Sequence, residues 1–225
     1  MTGSVRIKIC GVRNPEDALA AVEAGADLIG VNFVAGSKRE VDVRQATAIC
    51  EALEGHDVER VALFQDASWD KIDGILRRVS FERVQFHGDE SEDDIEAIDL
   101  PTIKAIRGAD QEAAETYPGS ILLLDHPHSG GGLGQAWDWS EAEDMIAHGH
   151  DVLIAGGLTP ENVASALGDV GEIPPWGVDV ATGVEGDDFR KDPEKMRAFV
   201  AAVRVREEEI EASNESGGAS EDSSS

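Results

Sequence analysis

Positive charge is what this chain has least of. Its 19 lysines and arginines stand against 46 aspartates and glutamates in 225 residues, a formal charge of −27. Such a surface repels nucleic acid and anionic membrane, which excludes both as partners. No apolar run approaches the roughly 20 residues of a membrane helix and no leader-type segment opens the chain, so it reads as soluble and cytoplasmic. Cysteine is also scarce. Cys10 and Cys50 fall in different expected elements, which excludes a disulfide framework, and no His/Cys cluster has metal-ligand spacing, which leaves no metal site. A Gly-x-Gly-x-x-Gly turn after the first strand is missing too. Cys10-Gly11-Val12-Arg13 stands there and argues against an open dinucleotide-binding sheet.

What the chain does have is enough apolar residue, 41%, in runs spaced along most of its length. High net charge with low hydrophobicity would mean disorder; these runs favour one folded domain. The chain is organised around Ile121-Leu122-Leu123-Leu124-Asp125, which opens into a glycine-rich loop from His126 to Gly134. The run is too short for a typical helix and reads as a buried strand ending in a carboxylate. The pattern repeats. Strands are expected at Val5–Cys10, Leu28–Phe33, Arg60–Phe64, Arg83–Phe86, Thr102–Ile106, Ile121–Asp125, Val152–Ala155 and Gly177–Val180. A helix follows each: Asn14-Pro15, Asp42, Ser68, Ser91, Asp110, Ser140, Thr159-Pro160 and Asp192-Pro193 mark their starts. Cys50 falls on an apolar helix face with Ala46, Ile49 and Leu53 and reads as core. Eight strand–helix units of about 25 residues each are the signature of a (β/α)8 TIM barrel near its minimum size. The barrel is expected over residues 1–206, followed by an acidic Ser/Glu-rich tail at 207–225 without regular structure.

Barrel enzymes carry their chemistry at the C-terminal ends of the strands. Those ends hold Cys10, His87, Arg107, Asp125, Gly156-Gly157 and Asp179, with Arg39 in a neighbouring loop. Glycines after strands seven and eight, at Gly156, Gly157 and Gly183, suit a phosphate held by backbone N–H groups. Cys10 needs only a modest change from a thiol pKa of about 8.5 to serve as a base. Asp125 lies about three strands away and could face the other side of a bound sugar; to serve as the acid it should be buried and hold its proton. Arg39 offers a bidentate fork to a carboxylate.

These residues stand in motifs that resemble the phosphoribosylanthranilate isomerases. The motifs are Lys8-Ile9-Cys10-Gly11 with Asn14-x-Glu16-Asp17-Ala18, Ser37-Lys38-Arg39, Val84-Gln85-Phe86-His87-Gly88, Leu124-Asp125 before a glycine-rich loop closed by Trp137-Asp138-Trp139, Ala155-Gly156-Gly157-Leu158-x-Pro160-Glu161-Asn162-Val163, and Val178 through Glu185. They run in order from about residue 5 to 203. The resemblance implies a cofactor-free Amadori rearrangement of N-(5-phosphoribosyl)anthranilate in tryptophan synthesis. It makes Asp125 the general acid that opens the ribose ring and Cys10 the base that removes the C2 proton. It gives Arg39 the anthranilate carboxylate. Gly156, Gly157, Ala181, Thr182 and Gly183 receive the phosphate, Asp179 orders that end, and His87 lines the pocket without a proton-transfer role. The expected partner is a small phosphorylated substrate and the expected assembly a monomer or homodimer. Val34-Ala35, His126, Gln135 and Ala181 depart from the commoner pattern of the family, which bears on loop behaviour and affinity more than on the reaction. A bifunctional sugar-phosphate isomerase would be expected to end strand one in Asp rather than Cys10. A non-catalytic phosphate-binding barrel would need neither Cys10 nor Asp125.

The excess of acid over lysine also resembles proteins of salt-accumulating halophilic archaea. Self-repulsion at −27 is relieved when the Debye length falls to roughly 3 Å at 1 M salt. The fold is therefore expected to gain stability from low to multimolar KCl. A denaturation midpoint that did not move across that range would refute the reading.

Overall fold

The computed structural model describes residues 4–127 and 136–218. Short apolar strands can bury both faces only where helices cover one and a closed interior fills the other. The chain meets that demand with β1 (Arg6–Cys10), α1 (Pro15–Ala24), β2 (Leu28–Asn32), α2 (Val43–Ala52), β3 (Glu59–Phe64), α3 (Trp69–Leu76), β4 (Arg83–Phe86) and α4 (Glu92–Glu96). It continues with β5 (Thr102–Arg107), α5 (Gln111–Thr116), β6 (Ile121–Asp125), α6 (Glu143–Ala147), β7 (Val152–Ile154), α7 (Val163–Asp169), β8 (Gly177–Val180) and α8 (Pro193–Gly218). All eight strands pair in parallel with their neighbours in sequence, and β8 returns to β1, so the sheet closes as a (β/α)8 barrel.

Side chains alternate across each strand. Ile7, Ile9, Ile29, Val31, Leu122, Leu124, Val178 and Val180 face the helices and join the large outer core. Leu28, Val61, Ile103, Ile121, Leu123 and Leu153 fill the barrel interior. Below that plug, Glu59 takes ion pairs from Arg6 at 2.8 Å and Arg83 at 2.9 Å, and both guanidinium groups lie over the Trp176 ring. Above it the inward positions turn polar, and the site begins there.

Three segments differ from the sequence expectation. Residues 139–142 form a 3-10 turn before α6, because Trp139 is pinned through its Nε1–H to the Ala155 carbonyl at 3.2 Å. The seventh helix starts at Val163 rather than Pro160. Asn162 accepts from the Thr159 N–H at 2.7 Å and donates to the Gly157 carbonyl at 2.9 Å, which holds the intervening turn against the β7 loop. The last helix runs past Glu207, where a structureless tail was expected, and is described as far as Gly218. Glu207 accepts from the Val5 N–H at 2.6 Å and pairs with Arg204, and glutamate and alanine are good helix formers. Residues 219–225, and the glycine-rich loop 128–135 with Gln135, lie outside the described residues.

Cys50 is buried in the outer core as expected, and burial pushes its thiol up to about 11. Among the described residues no helix is long and apolar enough to cross a membrane.

Phe64 is fully buried and stacks on Phe33 with ring centroids 5.4 Å apart. Phe64→Ala should destabilise the barrel by about 3–5 kcal/mol. Urea denaturation at fixed high salt would show this as a lower midpoint at unchanged slope.

Candidate active site

Five strands aim polar residues into the top of the barrel because they occupy the same inward phase as the plug; β2 supplies Asn32. β1 supplies Lys8 and Cys10, β4 supplies Gln85, β6 supplies Asp125 and β8 supplies Asp179. With His87 just past β4 and Arg39 from the loop after β2, all but Lys8 line one cavity of about 430 Å³. That volume suits a small ligand largely enclosed by protein.

Register sets the first contact. Lys8 lies opposite Asp179 in the β1–β8 ladder, and its Nζ meets Asp179 Oδ1 at 2.6 Å with no exposure of the lysine side chain. Cys10 stands one pleat higher, opposite Gly30. A Cβ on Gly30 would come 2.8 Å from Cys10 Sγ and 3.2 Å from Lys8 Nζ, so only glycine leaves room for the thiol beside the ammonium. Burial pushes the Cys10 thiol up, while the Lys8 ammonium and, more weakly, Lys191 pull it back; the Asp179 carboxylate adds to the rise, and the balance is above the ordinary value. Burial alone would lower Lys8, but Asp179 and the Cys10 thiolate hold it raised, so it stays an ammonium ion.

Asp125 ends β6 nearly buried. Its Oδ1 accepts from the His126 N–H at 2.8 Å, and its Oδ2 lies 3.3 Å from His87 Nε2. One oxygen is thus held by the chain itself, and the other faces the His87 ring.

Arg39 lines the cavity but is not a loose cation. Its Nε and Nη2 fork onto both oxygens of Glu185 at 2.6 and 2.7 Å, and Nη2 also donates to Thr182 Oγ1 at 2.9 Å. Its stem crosses Gly11, where φ is +77° and any Cβ would strike Arg39 Cδ. Glu185 takes a second cation, the buried Lys191, at 2.8 Å; burial would raise this carboxyl, yet Arg39 and Lys191 hold it below its usual range. Lys191 Nζ also donates to the Ala181 carbonyl at 3.0 Å. Asp17, from the motif at the start of α1, accepts from the Lys191 N–H at 3.1 Å and pairs with Arg190, which fixes where Lys191 begins.

The glycine-rich end of the cavity is built from two touching loops. Gly156 and Gly157 both have positive φ, and a Cβ on Gly183 would run into the Leu158 carbonyl. Gly156 is backed by Trp137, whose Nε1–H donates to the Ala155 carbonyl at 2.9 Å. Ala181, Thr182 and Gly183 complete the wall of the same cavity. Among the described residues no group of three His, Cys, Asp or Glu side chains could hold a metal ion.

The structure therefore brings Cys10, Arg39, His87, Asp125, Gly156, Gly157, Asp179, Ala181, Thr182 and Gly183 to one cavity. Arg107 lies instead on an adjoining cavity of about 480 Å³, which shares His87 and Asp125. Sequence reasoning passed over Lys8, Gln85, Glu90, Glu185 and Lys191. Glu90 is the buried tie of the His87-Gly88 loop, accepting from the Asp66 and Gly88 N–H groups and pairing with Lys104 at 2.8 Å. A signal for Lys8 did exist. Both faces of a parallel barrel strand are buried, so a lysine between Ile7 and Ile9 has to enter the interior and find a carboxylate there.

A closed (β/α)8 barrel that gathers a thiol, a carboxyl, paired cations and glycine turns around one cavity at the C-terminal end of its strands has the architecture of a barrel enzyme. Residues 7–202 match the family model described as N-(5'phosphoribosyl)anthranilate (PRA) isomerase. The chain belongs to that family. It is 46% identical over 214 residues to the N-(5'-phosphoribosyl)anthranilate isomerase of Pseudomonas fluorescens Pf-5, which covers 92% of this chain and 99% of the relative. Its fold is similar to the phosphoribosyl anthranilate isomerase of Thermus thermophilus, with TM-score 0.80 and 34% identity over 89% of this chain and 99% of the other. It is similar also to a phosphoribosyl anthranilate isomerase in complex with reduced 1-(o-carboxyphenylamino)-1-deoxyribulose 5-phosphate, with TM-score 0.79 and 33% identity over 89% and 99%. The sequence relative is bacterial and lends the expected archaeal source no support; the salt reading stands on charge alone.

Lys8 lowers the Cys10 thiol more than Asp179 raises it. Removing both charges together, as Lys8→Met/Asp179→Asn, leaves no buried ion unpaired and should move the basic-group limb of the kcat/KM profile to higher pH. A limb that stayed in place would deny that the ammonium acts on the thiol.

Proposed function

We propose that Asp125 and Cys10 are the acid and base of the family's reaction, the conversion of N-(5-phosphoribosyl)anthranilate into 1-(2-carboxyphenylamino)-1-deoxyribulose 5-phosphate. The observation that carries the assignment is that both line one cavity with the glycine cradle and Arg39. Asp125 gives a proton to the ribose ring oxygen as the C1–O bond breaks, and the anthranilate nitrogen lone pair closes the C1=N double bond. The Cys10 thiolate then takes the C2 proton. The released pair forms C1=C2 and neutralises the iminium; the enol hydroxyl then loses its proton as C1 gains one, which gives the ketone, and exchange with water returns the proton to Asp125 and removes it from Cys10. No electron leaves the substrate, so the reaction needs no redox partner.

The ends of the substrate fix its orientation. Arg39 receives the anthranilate carboxylate through Nη1, since Glu185 occupies the Nε–Nη2 edge. The phosphate lies against Gly156, Gly157, Ala181, Thr182 and Gly183, where close backbone approach and N–H donors suit an anion. Ala181 lacks a hydroxyl, which matters little if backbone groups do most of the binding. Asp179 helps to order this end through Lys8. We place the enzyme in the cytoplasm of a salt-accumulating cell, where high salt would screen its −27 charge.

Anthranilate-type fluorescence should fall when the protein meets freshly made phosphoribosylanthranilate in multimolar KCl without added cofactor. Asp125→Asn should abolish turnover, and Cys10→Ser should reduce kcat by about 10²–10⁴-fold, while both variants still bind a product analogue. A folded wild type without turnover would leave a phosphate-binding barrel acting on another substrate.

A further inference from the structure

Gln85 is buried in the barrel yet lines the cavity, with 1% of its surface exposed. Its Nε2 lies 3.2 Å from His87 Nδ1. Its Oε1 is buried without a hydrogen-bond partner. His87 Nε2 in turn lies 3.3 Å from Asp125 Oδ2, and Asp125 Oδ1 is already held by the His126 N–H. The three side chains form a line from β4 to β6 that ends on the reacting carboxyl.

Hydrogen-bond roles along the line follow from chemistry. A ring nitrogen that accepts from an amide cannot carry a hydrogen. With the Gln85 amide donating to Nδ1, the single hydrogen of a neutral imidazole sits on Nε2, the ring nitrogen that lies 3.3 Å from Asp125 Oδ2. We infer that Gln85 and His87 are positioning residues for the general acid: Gln85 fixes the Nε2–H tautomer of His87, and that N–H holds Asp125 Oδ2 in place. The inference rests on Asp125 being the acid.

The unpartnered Oε1 gives the line a second state. When His87 takes a second proton, Nδ1 becomes a donor and needs an acceptor. Turning the Gln85 amide over supplies one and loses no bond, so the line has a partner for Nδ1 in either protonation state of the ring. The other charged groups around His87 are His126 beside Asp125, Asp66 after β3, Asp89 on its own loop, and Lys104 and Arg107 from β5. Lys104 is paired with Glu90. Arg107 lies opposite Asp125 in the β5–β6 ladder.

Nitrogen-15 spectra of the histidine-labelled full chain test the tautomer, and kinetics test its use. The wild type should show His87 as Nε2–H. Gln85→Met, near-isosteric but unable to donate, should lose that preference. Gln85→Glu keeps the shape and, in its ionised form, can only accept, so at a pH where it is ionised it should put a proton on Nδ1. Both variants should lower kcat by at least about tenfold with KM within about twofold, and Gln85→Glu should shift the acid limb of kcat to higher pH. A wild-type Nδ1–H ring would overturn the role of Gln85. Variants with altered tautomers but unchanged kcat and pH profile would overturn the link to the acid. A wild type that shows the Nε2–H ring but no turnover would sink the assignment of Asp125 itself, and with it this use of the line, while the tautomer lock stood.

Discussion

An ammonium ion sealed inside a barrel cannot exist without its counter-ion, and Lys8 with Asp179 is the contact on which this site depends. Lys8 is fully buried, and its 2.6 Å partner lies 171 residues away in sequence, across the β1–β8 seam where the barrel closes. The pair can form only when the first and last strands meet. Losing one partner of such a pair costs about 3–5 kcal/mol, because the survivor is left charged and unsolvated. Pairing the two therefore ties closure of the barrel to the polar layer above its apolar plug. The same ammonium sits beside Cys10, so the group that helps to close the barrel is also the group that draws the thiol back toward ionisation.

Much of this was legible in the residues, for a geometric reason. Strand ends in a parallel barrel lie at one end of the molecule, so Cys10, His87, Asp125 and Asp179 could be found by reading each strand to its end and the residue beyond, though Arg107, read the same way, faces the adjoining cavity. Gln85 and Lys8 lie one pleat lower. In an isolated strand those positions look like the solvent-facing half of an alternation, and only closure makes them interior. Glu90, Glu185 and Lys191 were less legible still, because their meaning is tertiary. Glu185 is one more acid among 46 acidic residues until Arg39 and Lys191 arrive from other loops. The errors at helix ends have the same origin. Thr159-Pro160 is a sound start signal, but Asn162 binds Gly157 instead and delays the helix. In α8, contacts of Glu207 with Val5 and Arg204 carry the helix beyond the point where composition alone reads as tail.

The distribution of charge explains how so acidic a chain can bind an anion. Lys8, Lys104 and Lys191 are buried, and the side chain of Arg39 is nearly so. Each meets a carboxylate, respectively Asp179, Glu90, Glu185 and Glu185 again. Four of the 19 lysines and arginines thus sit inside the molecule beside carboxylates, while the excess of acid lies toward the outside. Paired cations still act at short range: Arg39 keeps Nη1 beyond its fork on Glu185, and Lys191 Nζ binds the carbonyl of Ala181 in the cavity wall.

Salt acts unequally on these two fields. A surface charge of −27 repels a substrate carrying both a carboxylate and a phosphate from many ångströms away, and this far field slows association. At a Debye length of roughly 3 Å in molar salt, the far field is screened almost completely, whereas buried contact pairs are screened much less. The ion pairs of the site, at 2.6 to 2.8 Å, lie within that length. Concentrated salt therefore removes the repulsion that opposes both folding and substrate approach, and leaves intact the contacts that hold Cys10, Arg39 and the loop after β8 in place. An acidic exterior and a cation-lined interior are then compatible parts of one enzyme, provided the surrounding solution supplies the screening.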